Sequence, residues 1–223
     1  PTDMGVNRAG FGIIDDEVVQ EASKQEIIRR YFQYRTDYAK GLEEKECYTR
    51  VEMLMEDFKL KQEDRETVSA ARKVMQDKSK NGKDSKYGAA IKLKSGEMAT
   101  GKRSILMNSS SSVILNAIKM VSGIPDNIHL LSLNIIESIQ GLKEDILNEK
   151  NTRLNLEETL IALGISATTN PTARLALTSL KDLYGCEMHS THILTSADES
   201  ALHKLGINVT CDPTFPSEDL YLG

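Results

Sequence analysis

Residues Gly96-Glu97-Met98-Ala99-Thr100-Gly101-Lys102 have the spacing of a phosphate loop, with two glycines five positions apart and a lysine after the second. Such a loop leaves a strand, wraps a phosphate in backbone N–H groups and enters a helix at once, where a Ser or Thr binds magnesium. Arg103 occupies that last position here. Residues 98–100 read instead as a returning strand, which puts Gly96 in a hairpin turn. Lys102 and Arg103 remain cations able to face an anion. Ser109, Ser110, Ser111 and Ser112 then open an expected helix. Small hydroxyls beside free N–H groups there can hold an anion or simply cap the helix.

A second cluster is Cys186-Glu187-Met188-His189-Ser190-Thr191-His192. Strand alternation puts Cys186, Met188, Ser190 and His192 on one face and His189 on the other. C-x-x-H along a strand is not a ligand spacing, so no metal site is expected. His189 is the candidate acid or base, with Ser190 beside it. The loop around Asp3, Asn7 and Arg8 carries Gly5 and Gly10, so its backbone can approach a ligand. Thr169-Asn170-Pro171 reads as a helix start with free N–H groups. No G-x-S-x-G motif is present, and the sequence identifies no cofactor.

The elements that must position these residues fall into two groups. Residues 1–82 read as a loop and a helical subdomain. Its helices run from about 15 to Gly41, then through Cys47, Val51, Leu54, Met55 and Phe58 at helical spacing, then from about 63 to 78. The polar stretch 77–86 is a linker. From residue 83 to 223 strands alternate with helices: a hairpin at 89–93 and 98–100, a helix at 109–122, strands at 128–131, 187–194 and 207–210, and further helices between them. That pattern predicts a three-layer α/β subdomain, so the whole chain is of α/β class, α+β overall. Hairpin, helix, then strand–helix units is the order of the cytidine-deaminase fold. Zinc deamination needs a His or Cys and a Glu on the first helix, and P-C-x-x-C later; both are missing.

At 223 residues the chain is long enough for one large or two small domains. A net charge of -5 and aromatic content of 5% with no Trp argue against nucleic-acid and anionic-membrane partners. No apolar run approaches the 20 residues of a membrane span. Three cysteines suit reduced thiols in a cytoplasm. A start at Pro1 without a leader is expected of a processed chain or an excised piece.

Three segments resemble one bacterial family: Pro1-Thr2-Asp3-Met4-Gly5-Val6-Asn7, Glu21-Ala22-Ser23-Lys24-Gln25-Glu26-Ile27-Ile28-Arg29-Arg30-Tyr31, and Gly185-Cys186-Glu187-Met188-His189-Ser190-Thr191. The family is a domain of unknown function, number 1846, described as an uncharacterised protein family. The resemblance covers essentially the whole chain and implies the C-terminal half of a protein about twice as long. It implies a helical part, a deaminase-like α/β part, and an absent N-terminal half with its own glycine-rich loop. It brings no activity and no catalytic residues. The leading expectation is a cleft for a phosphorylated or nucleotide-like small molecule, shared with the N-terminal half of the same protein. Its contacts would be Asp3, Asn7, Arg8, Lys102, Ser109, Ser110, Ser111, Thr169, Asn170 and Ser190, with His189 as acid or base. The rival expectation is a structural or oligomerisation module, with helices 15–78 packing on other copies of the chain in a homo-oligomer.

Overall fold

A computed structural model describes residues 16–76 and 87–216 of the chain. Two compact units divide between Arg65 and Glu66.

In the first unit, helix α1 (Asp16–Ala39) and helix α2 (Lys45–Asp57) are followed by a 3-10 turn, Gln62–Asp64. Gly41, at φ +73°, takes the left-handed conformation past the end of α1, where a glycine costs least. Ile28, Tyr31 and Phe32 of α1 and Tyr48, Val51 and Met55 of α2 are the buried stripes. Tyr38 and Tyr48 meet with ring centroids 5.1 Å apart. The stripe of α2 is narrower than its apolar spacing suggests, since Leu54 and Phe58 are exposed.

The second unit opens with helix α3 (Glu66–Gln76). Strands β1 (Gly88–Lys92) and β2 (Met98–Lys102) and helix α4 (Ser109–Val121) follow. Next come helix α5 (Leu133–Gly141) with a π-helical extension Leu142–Ile146, helix α6 (Leu156–Ser166), helix α7 (Pro171–Thr178) and the 3-10 turn Ser179–Leu183. Strand β3 (Glu187–Ser190), helix α8 (Ser196–Lys204) and strand β4 (Asn208–Cys211) complete it. Among the described residues the strands form one mixed sheet, ordered β2-β1-β3-β4. β1 is antiparallel to both neighbours and β3 is parallel to β4. The compact units thus divide at 65/66, where the linker composition points to 82/83. The reason is α3, which packs on the sheet. Its Val68, Ala71 and Val74 are buried, and a Cβ on Gly88 would sit 3.0 Å from Val74 and 3.1 Å from the Ala71 carbonyl.

Helices cover both faces of the sheet. Gly88 faces α3, whereas a Cβ on Gly101 would sit 2.7 Å from the Val113 Cα of α4. Gly88 pairs with Lys102, the neighbour of Gly101, so the two contacts lie on opposite sides of the pleat. On the α4 side Ala89, Ile91, Ala99 and Met188 meet Val113, Ile114, Ala117 and Ile118, all at most 1% exposed. Each large aliphatic side chain buried there contributes roughly 1.5–3 kcal/mol. Leu156 and Leu163 of α6, Ala173 and Ala176 of α7 and Leu202 of α8 extend the same core.

Two expected strands differ. Residues 128–131 form bends and turns after Pro125, and they contribute Leu130 and Leu131 to the core as plugs. β3 ends at Ser190, four residues early, because the chain turns out of the sheet. Thr191 closes that turn, its backbone N–H and its hydroxyl both donating to the Gly88 carbonyl at 3.0 and 3.1 Å. Two helix starts are capped by asparagine: the Asn155 side chain accepts from the Glu158 N–H, and the Asn170 side chain accepts from those of Thr172 and Ala173. Ser132, whose type also suits a cap, makes no side-chain cap bond.

Candidate functional site

The ends of β2, β3 and β4 and the start of β1 lie at one edge of the sheet. The chain leaves β2 into α4 and β3 into α8 there. Open α/β sheets gather ligands at the carboxyl ends of their strands, where helix N-termini point. α4 runs back along β2: Gly101 packs on Val113, and Asn116 donates to the Thr100 carbonyl at 2.8 Å. Two residues beyond Gly101 is about 6.6 Å along a strand. That matches about four helical residues back from Val113. Arg103 therefore stands at the level of Ser109.

Arg103, Tyr87 and His192 form a row across this edge. The Arg103 N–H donates to the Tyr87 carbonyl at 3.0 Å, continuing the β1–β2 register. The Arg103 guanidinium lies over the Tyr87 ring at 5.1 Å, and the His192 ring is 4.9 Å away on a 50° tilt. Ser190 Oγ is 3.1 Å from His192 Nδ1. Burial, reinforced by the Arg103 charge, lowers the His192 imidazole to about 4, so it is neutral at neutral pH.

Arg103 carries an uncompensated charge. Among the described residues no carboxylate pairs with it, and its buried Nε has no hydrogen-bond partner. Its pKa is lowered, first by burial and then by the charge of Arg153. Arg153 is held in place by Nε donating to the Ser104 carbonyl at 2.8 Å, while the buried Lys143 donates to the Arg153 carbonyl at 3.0 Å. The two guanidinium groups repel each other, and among the described residues no carboxylate pairs with Arg103.

Beside the row, three helix starts converge on Asp198, which is 1% exposed. Its carboxylate accepts from Asn108 Nδ2 at 3.1 Å and from the Leu156 N–H at 2.7 Å, and its own N–H donates to Thr195 Oγ1 at 3.2 Å. Burial pushes this carboxyl up, against the pull of its hydrogen-bond donors. The nearby Ser110 hydroxyl also pulls it down. Asp198 thus takes the N-terminal field of α6 and holds the N-cap residue of α4. Ser111 Oγ donates to the Leu154 carbonyl at 3.3 Å, and the Ser109 hydroxyl is fully buried with no partner among the described residues.

The α3 face of the sheet holds a separate network. His189, 0% exposed, places Nδ1 2.8 Å from Thr210 Oγ1 and Nε2 3.5 Å from Asp212 Oδ1. Arg72 of α3 donates to both Asp212 oxygens, at 2.6 and 3.3 Å. Burial raises the Asp212 pKa, but the hydrogen bonds and charges of His189 and Arg72 outweigh it and bring the carboxyl down to about 2.

The residues expected from the sequence are divided by this geometry. Ser109, Ser110, Ser111 and Ser190 lie on the α4 side, in or beside the Arg103 row. Lys102 and His189 lie on the α3 side, and His189 is enclosed, with no solvent-facing atom for acid–base work. Thr169 and Asn170 follow the far end of α6, about 16 Å from its start beside Asn108. Asp3, Asn7 and Arg8 fall outside the described residues. Three participants carry no motif in the sequence: Tyr87, Arg153 and Asp198. In the sequence Arg103 stands out for spoiling a phosphate loop and as a cation next to Lys102, and His192 as the last residue of the Cys186–His192 cluster. Among the described residues no three His, Cys, Asp or Glu side chains gather as a metal site. No described helix is long and apolar enough to cross a membrane.

Comparison with known proteins agrees with this division of the chain. A family described as "Domain of unknown function DUF1846, C-terminal" matches residues 63–221, and "Domain of unknown function DUF1846, N-terminal" matches residues 1–59. The chain therefore holds part of the N-terminal domain as well as the C-terminal one, which refines the expected C-terminal half. A UPF0371 protein of Clostridium botulinum (strain Eklund 17B / Type B) is 52% identical over 99% of this chain and 44% of its own length. One of Clostridioides difficile (strain 630) is 50% identical over the same shares. The chain thus spans under half the length of these relatives. It belongs to the DUF1846 family, whose UPF0371 members carry no assigned activity.

Proposed function

We propose that the α/β unit binds a phosphorylated or nucleotide-like small molecule at the edge where β2 and β3 end. The observation that carries this reading is Arg103, partly buried and within the field of Arg153, with no carboxylate pairing with it among the described residues. A half-buried cation is costly unless an anion completes it, and two guanidinium groups suit the several oxygens of a phosphate. The first turn of α4, whose Ser109, Ser110 and Ser111 are buried, adds its N-terminal field at the level of Arg103. Tyr87, half-buried beneath the Arg103 guanidinium, adds an aromatic ring beside the anion, and the buried, neutral His192 packs on that ring. Ser190 is in reach of His192, and Lys102 and His189 on the other face support the strands that carry the site. A cytidine-deaminase-like arrangement is the finer fold reading. It is supported by the hairpin, helix and strand–helix order with β1 antiparallel to both neighbours.

The test is calorimetric titration of the chain, and of the full-length protein, with pyrophosphate, ribose 5-phosphate and nucleoside mono- and triphosphates. Saturable binding is expected for at least one of them, and Arg103→Ala should weaken it at least tenfold with an unchanged circular dichroism spectrum. Equal binding by Arg103→Ala, or no binding to any of these probes, would overturn the proposal.

A further inference from the structure

We infer that the groove between α1 and α2 seats an amphipathic segment of the N-terminal domain that the longer relatives carry and this chain does not span. The groove encloses about 660 Å³ and is lined by Val19, Ala22, Ile27, Val51 and Leu54, with Cys47 among its lining residues. Its mouth is apolar and open: Val19 is 37% exposed and Leu54 44%. Val18 and Phe58 are more than 60% exposed. So much apolar area facing water on a unit of this size calls for a covering element.

The family match names the occupant. Residues 1–59, which hold both helices, belong to an N-terminal domain, while the chain spans only 44% of the relatives' length. The two helices are therefore a piece of a domain whose remaining core is elsewhere in the longer polypeptide. A helix pair that exposes an apolar stripe between polar flanks takes a third element with i, i+3, i+4 and i+7 anchors. Glu26 and Arg30 line the groove as an ion pair at 2.8 Å, which leaves Arg50 as the cation of the lining, so the occupant should present apolar anchors with an acidic residue toward Arg50.

Cys47 reports occupancy directly. Its alkylation by iodoacetamide, located by peptide mass spectrometry, should be at least tenfold slower in the full-length protein than in the 223-residue chain. Leu54→Arg, on the groove rim, should restore fast alkylation in the full-length protein and leave the melting temperature of the shorter chain unchanged. Equal Cys47 rates in the two polypeptides would overturn the inference. So would protection already present in the shorter chain that grows with concentration alongside a dimer in sedimentation, because a second copy would then be the occupant.

Discussion

Gly101→Ala discriminates between a glycine needed for phosphate and a glycine needed for packing. The added Cβ would lie 2.7 Å from Val113 Cα and 2.8 Å from the Ser112 carbonyl carbon, and closer still to the Val113 nitrogen. Carbon atoms rest about 3.5–4.0 Å apart, so β2 and α4 would have to separate by about 1 Å. The obstacles are backbone atoms, so no rotamer change relieves them. The helix cannot tilt cheaply, because Val113, Ile114, Ala117 and Ile118 are fully buried. Overpacking a core typically costs about 1–3 kcal/mol, and a backbone clash belongs at the top of that range. We expect a loss of about 3 kcal/mol, which lowers the melting temperature of a unit this size by roughly 6–12 °C.

The assay is urea unfolding followed by circular dichroism, with the midpoint shifted and the slope unchanged. Gly96→Ala is the control. Gly96 has φ +89°, and a Cβ there would meet nothing within 4 Å, so only the left-handed backbone conformation is penalised, at roughly 1–2 kcal/mol. A phosphate loop would give a different pattern, with Gly101→Ala folding normally and losing only ligand affinity. If Gly101→Ala unfolds within about 0.5 kcal/mol of the parent chain, the close approach of β2 to α4 is wrong, and the placement of Arg103 beside Ser109 falls with it.

Two pH dependences follow from the buried titratable groups. An unfolded imidazole protonates below about 6.5, but that of His192 does so only below about 4. Between those values the unfolded chain binds more protons, so stability should fall by up to about 3 kcal/mol as the pH is lowered. His192→Phe should keep the contact with Tyr87 and flatten that limb in urea midpoints measured from pH 7 to 4. Asp212 lies in the opposite class, a carboxyl brought down from 3.8 to about 2. Its stabilisation is complete above about pH 4 and lost as the pH falls toward 2, a matter of about 2 kcal/mol. Asp212→Asn should lose that stability at neutral pH and show a flatter acid limb, and an unchanged acid limb would refute the Arg72–Asp212–His189 linkage.

Local signals are legible in the sequence wherever a short-range rule decides the outcome. Asn155 and Asn170 cap helices as their side-chain chemistry dictates, and Gly96 makes the hairpin turn. Alternation separates His189 from Met188 and Ser190 correctly. Long-range decisions are not legible. α3 has the same amphipathic pattern as α2, and nothing local says that its stripe meets a sheet and not a helix. Residues 128–131 are apolar enough for a strand but pair with no neighbour, so they fill the core as a turn.

The proposed site turns on one strand boundary. With β2 ended at Thr100, Lys102 and Arg103 look like adjacent loop cations, both able to reach the same anion. β2 runs on to Lys102, and the next backbone bond from Arg103 to Tyr87 preserves its register. Alternation then sends Lys102 toward α3 and Arg103 toward the start of α4. The residue that disqualifies the phosphate-loop motif is thus the one the fold sets over Tyr87, at the level of Ser109 and within the field of Arg153. The lysine that completes the motif's spacing faces the other way. Swapping their roles is a direct test: Lys102→Ala should leave phosphate binding within about twofold, while Arg103→Lys, which keeps the charge but loses the planar fork, should still weaken it severalfold.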